Sequence, residues 1–210
     1  MRNLALAIVI SFIVSAASAQ QTKTASPAKA SSISMERFEG QSVITDLGFN
    51  VKLNGNSTLK REWFVVRDDS APISINGAAG VQVVYKSGDK YSSGQYQYKV
   101  DYKLEPREPI TAFQIRIHVL DVFGRLLHTL SDTELFDFSE SQGFDGTWRI
   151  GSENDASEAF ASVAYISQVR TAKGRVYEVD RAAVFDQVRK VARRIAEVDL
   201  EPKSETLQKQ

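Results

Sequence analysis

The sharpest hydropathy pattern in this chain is a strict alternation from Gln95 to Leu104. Tyr96, Tyr98, Val100, Tyr102 and Leu104 interleave with Gln95, Gln97, Lys99, Asp101 and Lys103. A period of two buries one face and wets the other, which predicts an antiparallel strand. Phe113, Ile115, Ile117 and Val119 repeat the pattern around Gln114, Arg116 and His118. Between the two runs, Glu105-Pro106-Arg107-Glu108-Pro109 predicts a loop, because proline donates no ladder hydrogen bond. Weaker strands of the same grammar are predicted near Gly48–Leu53, Lys60–Arg67, Val81–Lys86, Leu126–Leu130, Gly146–Ile150, Phe160–Thr171 and Arg175–Val179. Polar or Gly-bearing turns separate most of them, among them Asn54-Gly55-Asn56, Ser87-Gly88-Asp89 and the stretch Gly151 to Ser157. Ala172-Lys173-Gly174 predicts a hairpin. Many short strands at such spacings make a two-layer β-sandwich or a barrel.

The period changes at both ends. Val184, Val188, Val191, Ile195 and Val198 recur at steps of three and four, with Asp180 placed to cap the first turn. This predicts an amphipathic helix over 181–199 of roughly five turns, ended by Glu201-Pro202, and a disordered tail over 200–210. At the start, Arg2 is followed by the apolar run Leu4 to Val14 and by the small residues Ala17-Ser18-Ala19. That pattern predicts a secretory signal peptide over 1–19, cleaved before Gln20. The run is short for a bilayer span of about 20 residues, so no transmembrane span is expected in the mature chain, which is placed in the periplasm or outside the cell. Gln20 to Met35 is small and polar, and residues 20–39 are expected to be a flexible linker. The sandwich domain is assigned to 40–180.

Composition narrows the function classes. Lys plus Arg and Asp plus Glu both number 26, for a formal net charge of +0. This balance argues against wholesale nucleic-acid binding, which needs a basic surface. There is no cysteine, so thiol catalysis, disulfides and thiolate metal sites are excluded. An exported domain without disulfides must rest on its core, and a 42% apolar chain of this length has one to rest on. Asn56-Ser57-Thr58 matches a short glycosylation sequon that arises readily by chance.

His118 and His128 are the two histidines on which a relay or most transition-metal sites would depend. His118 falls on the polar face of its strand, facing solvent or a covering loop. A hairpin about Asp121–Arg125 would let the two rings approach. No companion cluster of Asp, Glu or Ser marks either, so both read as ordinary surface residues. In the segment Ile117 to Arg125, Asp121 and Gly124 read as structural turn residues: Asp accepts from the turn's own amides and Gly supplies a positive φ. The pattern Ile117-x-Val119-Leu120-Asp121-x-x-Gly124 resembles the strand and turn of small bacterial exported Ig-like or fibronectin-III-like domains of the FxLYD kind. Leu120 stands in the aromatic place and Asp121 is the acid; the Phe and Tyr of that motif are replaced here. The resemblance implies an Ig-like antiparallel β-sandwich on an exported protein, and no activity.

Other candidates are compositional. Ser131 to Asp145 carries Asp132, Glu134, Asp137, Glu140 and Asp145, oxygen donors of the kind calcium takes, without the EF-hand spacing. Phe136, Phe138 and Phe144 in the same stretch suggest local packing. Arg181, Arg189, Lys190, Arg193 and Arg194 would give the helix a basic face for peripheral membrane contact, though the Val-rich stripe favours docking on the sandwich. Tyr96, Tyr98 and Tyr102 share the inward face and read as core. No phosphate loop, nucleophile elbow or zinc-protease motif is present, and no cofactor and no catalytic residue is assigned.

The expected function is therefore a non-enzymatic binding or structural module of the bacterial cell envelope. It would act through sandwich loops or a sheet edge on another envelope or secreted protein. Two alternatives are a glycan-acting hydrolase using carboxylates of the Ser131–Asp145 loop and an assembly subunit donating Ser31 to Asn50 as a strand to a neighbour.

Overall fold

The computed structural model describes residues 33–42, 60–90, 93–151 and 153–202. The predicted signal peptide, the linker up to residue 32, the Gly48–Leu53 strand, Asn56 and the tail from residue 203 lie outside the described residues. Ten strands are described: β1 (Ile33–Ser42), β2 (Lys60–Asp68), β3 (Ile73–Asn76), β4 (Val81–Lys86), β5 (Gln95–Pro106), β6 (Ile110–Leu120), β7 (Leu126–Glu134), β8 (Gln142–Arg149), β9 (Ala161–Thr171) and β10 (Val176–Glu178). With them are two short helices, α1 (Glu153–Glu158) and α2 (Arg181–Val188), and a 3-10 turn Glu197–Leu200. The chain is an all-β sandwich.

The larger sheet runs β1-β2-β9-β6-β7, with β10 beside β9. In the smaller sheet β5 is central. β8 pairs along one edge, and β3 and β4 share the other in succession, matching residues 103–106 and 95–100 of β5. The alternation along β5 does what its pattern dictates: Tyr98, Val100, Tyr102 and Leu104 are buried, while Asp101, Lys103 and Glu105 are exposed. They meet Phe113, Ile115 and Ile117 of β6 in one core between the sheets. Each such aromatic or branched side chain contributes about 2 kcal/mol by leaving water. A second apolar cluster covers the other face of the larger sheet, where Phe64, Val66, Leu120, Val163 and Tyr165 meet Val184, Val188, Ala192 and Leu200 from the C-terminal segment. The larger sheet is thus buried on both faces, which is why β9 shows almost no polar alternation.

Several expectations require correction. Residues 33–39 are not linker. They belong to β1, paired antiparallel with β2 from Ile33↔Asp68 onward. Ile33 and Met35 touch the outer cluster and Phe38 the inner one, and the charged residues form ion pairs across to β2, Arg37 to Glu62 at 2.5 Å, Glu36 to Arg67 at 2.8 Å and Glu39 to Lys60. The described part of the segment read as a donated strand therefore pairs within its own chain. β2 and β9 run parallel, from Glu62↔Ala161 to Val66↔Tyr165, while every other described pairing is antiparallel. Local pattern carries no information about a pairing a hundred residues apart. Gly151 to Ser157 holds helix α1 rather than only a turn, and β5 continues through Pro106 into the expected loop.

The C-terminal helix is also shorter than its stripe. α2 starts where expected, with Asp180 accepting from the Ala183 amide at 3.2 Å, but ends at Val188. Lys190 and Val191 then bond back only three residues, to Gln187 and Val188, and the chain extends at Ala196 before the 3-10 turn. Bending keeps Val188, Ala192 and Leu200 all on the sheet, and β-branched valines have little helix propensity to oppose it. Leu200, expected in the disordered tail, is 1% exposed, and its carbonyl accepts from the Tyr165 hydroxyl at 3.3 Å.

Candidate functional site

The β6–β7 hairpin sets the geometry of both ends of the sandwich. At one end the chain turns through Asp121–Arg125. Asp121 is buried, and its Oδ1 accepts from the amides of Phe123 and Arg125, both at 2.8 Å, while Oδ2 accepts from Arg125 Nε at 2.5 Å. Burial pushes the Asp121 carboxyl up, but these bonds overcome it and hold the carboxyl below its usual range. Gly124 has φ +76°, and a Cβ there would lie 2.5 Å from the Val191 carbonyl oxygen. The turn is therefore pressed against the C-terminal segment. Val122 and Phe123 remain at its tip, 50% and 75% exposed. Apolar residues at a position where turns favour polar ones were the available clue to this site.

The two histidines do not approach each other. His118 pairs with Thr129 and His128 with Val119 across the hairpin, where a bulge skips Leu127. His118 therefore faces the C-terminal segment, and His128 faces the smaller sheet. His118 is fully buried, not solvent-facing. Thr129 Oγ1 donates its proton to the Asp199 carbonyl at 2.9 Å, so at 3.0 Å it accepts from His118 Nδ1–H. That fixes the tautomer and leaves Nε2 buried without a hydrogen-bond partner. Burial, aided by the Arg116 charge and opposed by Asp199, pushes the His118 pKa down to about 4.

His128 sits 5.6 Å from the Tyr98 ring and 3.8 Å from an Asp155 carboxylate oxygen. Burial pushes its pKa down and Asp155 pulls the other way. Tyr98 donates to the Asp155 backbone carbonyl at 3.2 Å, and burial and Asp155 hold its phenol above the ordinary range. Beside it Arg61, 2% exposed, donates from Nε to the Ala159 carbonyl at 3.2 Å, while Nη1 is buried without a partner. Burial lowers its pKa. Arg61, Tyr98 and Trp148 are shut away from solvent at the end of the sandwich that carries α1.

The opposite end is aromatic. The segment 135–141 crosses from β7 in one sheet to β8 in the other. It is pinned where Phe138 and Ile110 exchange backbone hydrogen bonds at 2.9 and 3.1 Å. Phe113, Phe138 and Phe144 pack edge to face, with centroids 4.8 to 6.0 Å apart. Phe136 lies on this cluster, 6.0 Å from Phe144 and 6.2 Å from Phe138. Phe138 and Phe144 thus form the local packing expected, whereas Phe136 is 47% exposed and Leu135 is 82% exposed. Of the acidic residues assigned to this stretch, Asp132 is buried and accepts from the Tyr102 hydroxyl at 3.1 Å. Asp137, Glu140 and Asp145 are exposed around the loop. Among the described residues no three of His, Cys, Asp and Glu gather as a metal-binding group.

The basic residues of the C-terminal segment are not one face of a helix. Arg181 pairs with Glu201 at 3.5 Å and Arg189 with Asp186 at 3.6 Å, while Arg193 and Arg194 lie beyond α2 and are exposed. No described helix is long and apolar enough to cross a membrane.

Comparison with known proteins adds little to these observations. No family model matches the chain, and no curated protein matches it. A hypothetical protein from Peptoclostridium difficile 630, known from a 1.85 Å X-ray structure, is similar over 59% of this chain and 92% of its own, with a TM-score of 0.42 and 7% identity.

Proposed function

We propose that this protein is an exported, non-enzymatic binding module of the bacterial cell envelope that grips another envelope or secreted protein through the loop 135–141. The observation that carries the reading is Leu135, 82% exposed beside half-exposed Phe136, on a loop held rigid by the Phe138–Ile110 bridge and the phenylalanine cluster. A preorganised apolar anchor loses little entropy on binding and makes an effective hot spot. The exposed carboxylates of Asp137, Glu140 and Asp145 suit a partner segment that interleaves apolar and basic side chains. Asp132, engaged with Tyr102, is a structural carboxylate in this reading. Export rests on the signal-peptide pattern of residues 1–19, and the module class on the resemblance of Ile117 to Gly124 to exported Ig-like domains.

The test is site-specific photo-crosslinking in intact cells, with the reactive side chain at position 135 or, as a control on another face, at the 73% exposed Val198. A discrete adduct from 135 that is absent from 198 and lost with Phe136→Ser supports the reading. Identical adduct patterns from the two positions, or recovery of the tagged protein in the cytosolic fraction, refute it.

A further inference from the structure

We propose that the Val122–Phe123 tip of the β6–β7 hairpin is a docking point for bilayers rich in anionic phospholipid. The tip is rigid. Its backbone is held by the Asp121 carboxylate and by Gly124 at φ +76°, so the 75% exposure of Phe123 is a fixed presentation. A cation also lies beside it. The Arg125 guanidinium carbon stands 5.9 Å from the centre of the Phe123 ring. A Cβ at Gly124 would lie 2.5 Å from the Val191 carbonyl oxygen and 3.6 Å from the Arg193 amide nitrogen, so the chain carrying exposed Arg193 and Arg194 passes alongside the turn. The acid within the turn, Asp121, is buried and already answered by Arg125; exposed Glu158 is the carboxylate whose field reaches Arg125.

A lipid surface fits this arrangement better than an acidic protein. The apolar pair sits on a hairpin tip, the shape that enters the boundary between headgroups and acyl chains, with the cations set behind it at the level of the phosphates. A protein partner would instead have to supply an apolar socket. Loop 135–141 lies beyond the far end of β7, roughly 30 Å away at the rise of a strand. The inference uses a different surface from that of the proposed function, and either stands without the other.

The test is flotation of the full-length mature protein with phosphatidylglycerol-rich vesicles and with pure phosphatidylcholine vesicles. Binding is expected to the first and not the second, and to fall with ionic strength. Arg193→Glu with Arg194→Glu should weaken binding by at least about 25-fold, at roughly fivefold for each basic residue lost. Phe123→Ser should weaken it by about tenfold or more. Should that variant fold poorly, Phe123→Trp gives an independent readout, a blue shift of its added emission on anionic vesicles. Absence of binding to anionic vesicles, equal binding to both compositions, or unchanged binding in the charge-reversed variant would overturn the proposal. Loss of the position-135 crosslink with vesicle binding intact would leave it standing.

Discussion

Acidification from the ordinary histidine range near 6.5 to the value of about 4 imposed on His118 should weaken this fold by about 3 kcal/mol. The unfolded chain takes up the imidazole proton near 6.5 and the native protein only near 4. Between those values the unfolded state holds more protons, so stability falls as pH falls. The contribution is whole above about 6.5 and gone below about 4. The cause is geometric. The Thr129 hydroxyl gives its proton to Asp199 and must accept from His118 Nδ1–H. Protonating Nε2 would then put a charged donor with no acceptor in a buried site beside Arg116. Urea denaturation of the wild type and of His118→Gln at a series of pH values measures the effect. The wild-type curve should be steeper across this window by up to about 1.4 kcal/mol per pH unit, and the difference between the two proteins isolates this one group from the carboxylates that also titrate. Parallel curves, or an NMR titration of the native ring centred near 6.5, would refute the reasoning. Since the segment over His118 ends in the Asp199 contact, its amides should exchange faster before the sheets open.

Asp121→Ala should cost about 2–4 kcal/mol, because two backbone amides and the Arg125 guanidinium lose one buried acceptor; a change in urea midpoint worth under about 0.5 kcal/mol would contradict the geometry. Gly124→Ala meets both a positive φ and the Val191 carbonyl, so a loss of about 2 kcal/mol and faster tryptic cleavage at Arg193 and Arg194 are expected, read by thermal melting and limited proteolysis. Arg61→Met should be neutral or stabilising by about 1–3 kcal/mol, since it removes a buried charge whose hydrogen bond among the described residues is the one to Ala159. A loss above about 2 kcal/mol would show that the guanidinium has a role this geometry does not contain.

Much of the architecture was legible because it is local. β4 runs over Val81–Lys86 as its turn boundaries require, and β5 and β6 follow their alternation almost residue for residue. Asp121 and Gly124 lie in a turn whose chemistry is complete within five residues. β1 was hidden because only Ile33, Met35 and Phe38 among its ten residues are large and apolar, and these are shared between two faces, so it reads as polar linker. β3, at four residues, is too short to show a period. In the candidate site, Phe136, Phe138 and Phe144 suggest local packing from the sequence, and all three join one aromatic cluster. The exposure of Phe136 and Leu135 depends on which sheet the chain enters next, and the segment carrying Arg193 and Arg194 reaches the Phe123 turn from some seventy residues later in the chain.

The sequence by itself determined the strand-by-strand alternation, the turn chemistry, the onset of α2 at Asp180, and the absence of thiol chemistry, because these depend on side-chain periodicity and on backbone preferences within a few residues. Tertiary structure alone decided the parallel union of β2 with β9, the breaking of the C-terminal stripe after Val188, the burial of His118 and the exposure of Phe123 and Leu135. In each of these the deciding partner is distant in the chain. Whether a side chain there meets water or protein is set by what the rest of the fold lays over it, a quantity that no local pattern of polar and apolar residues encodes.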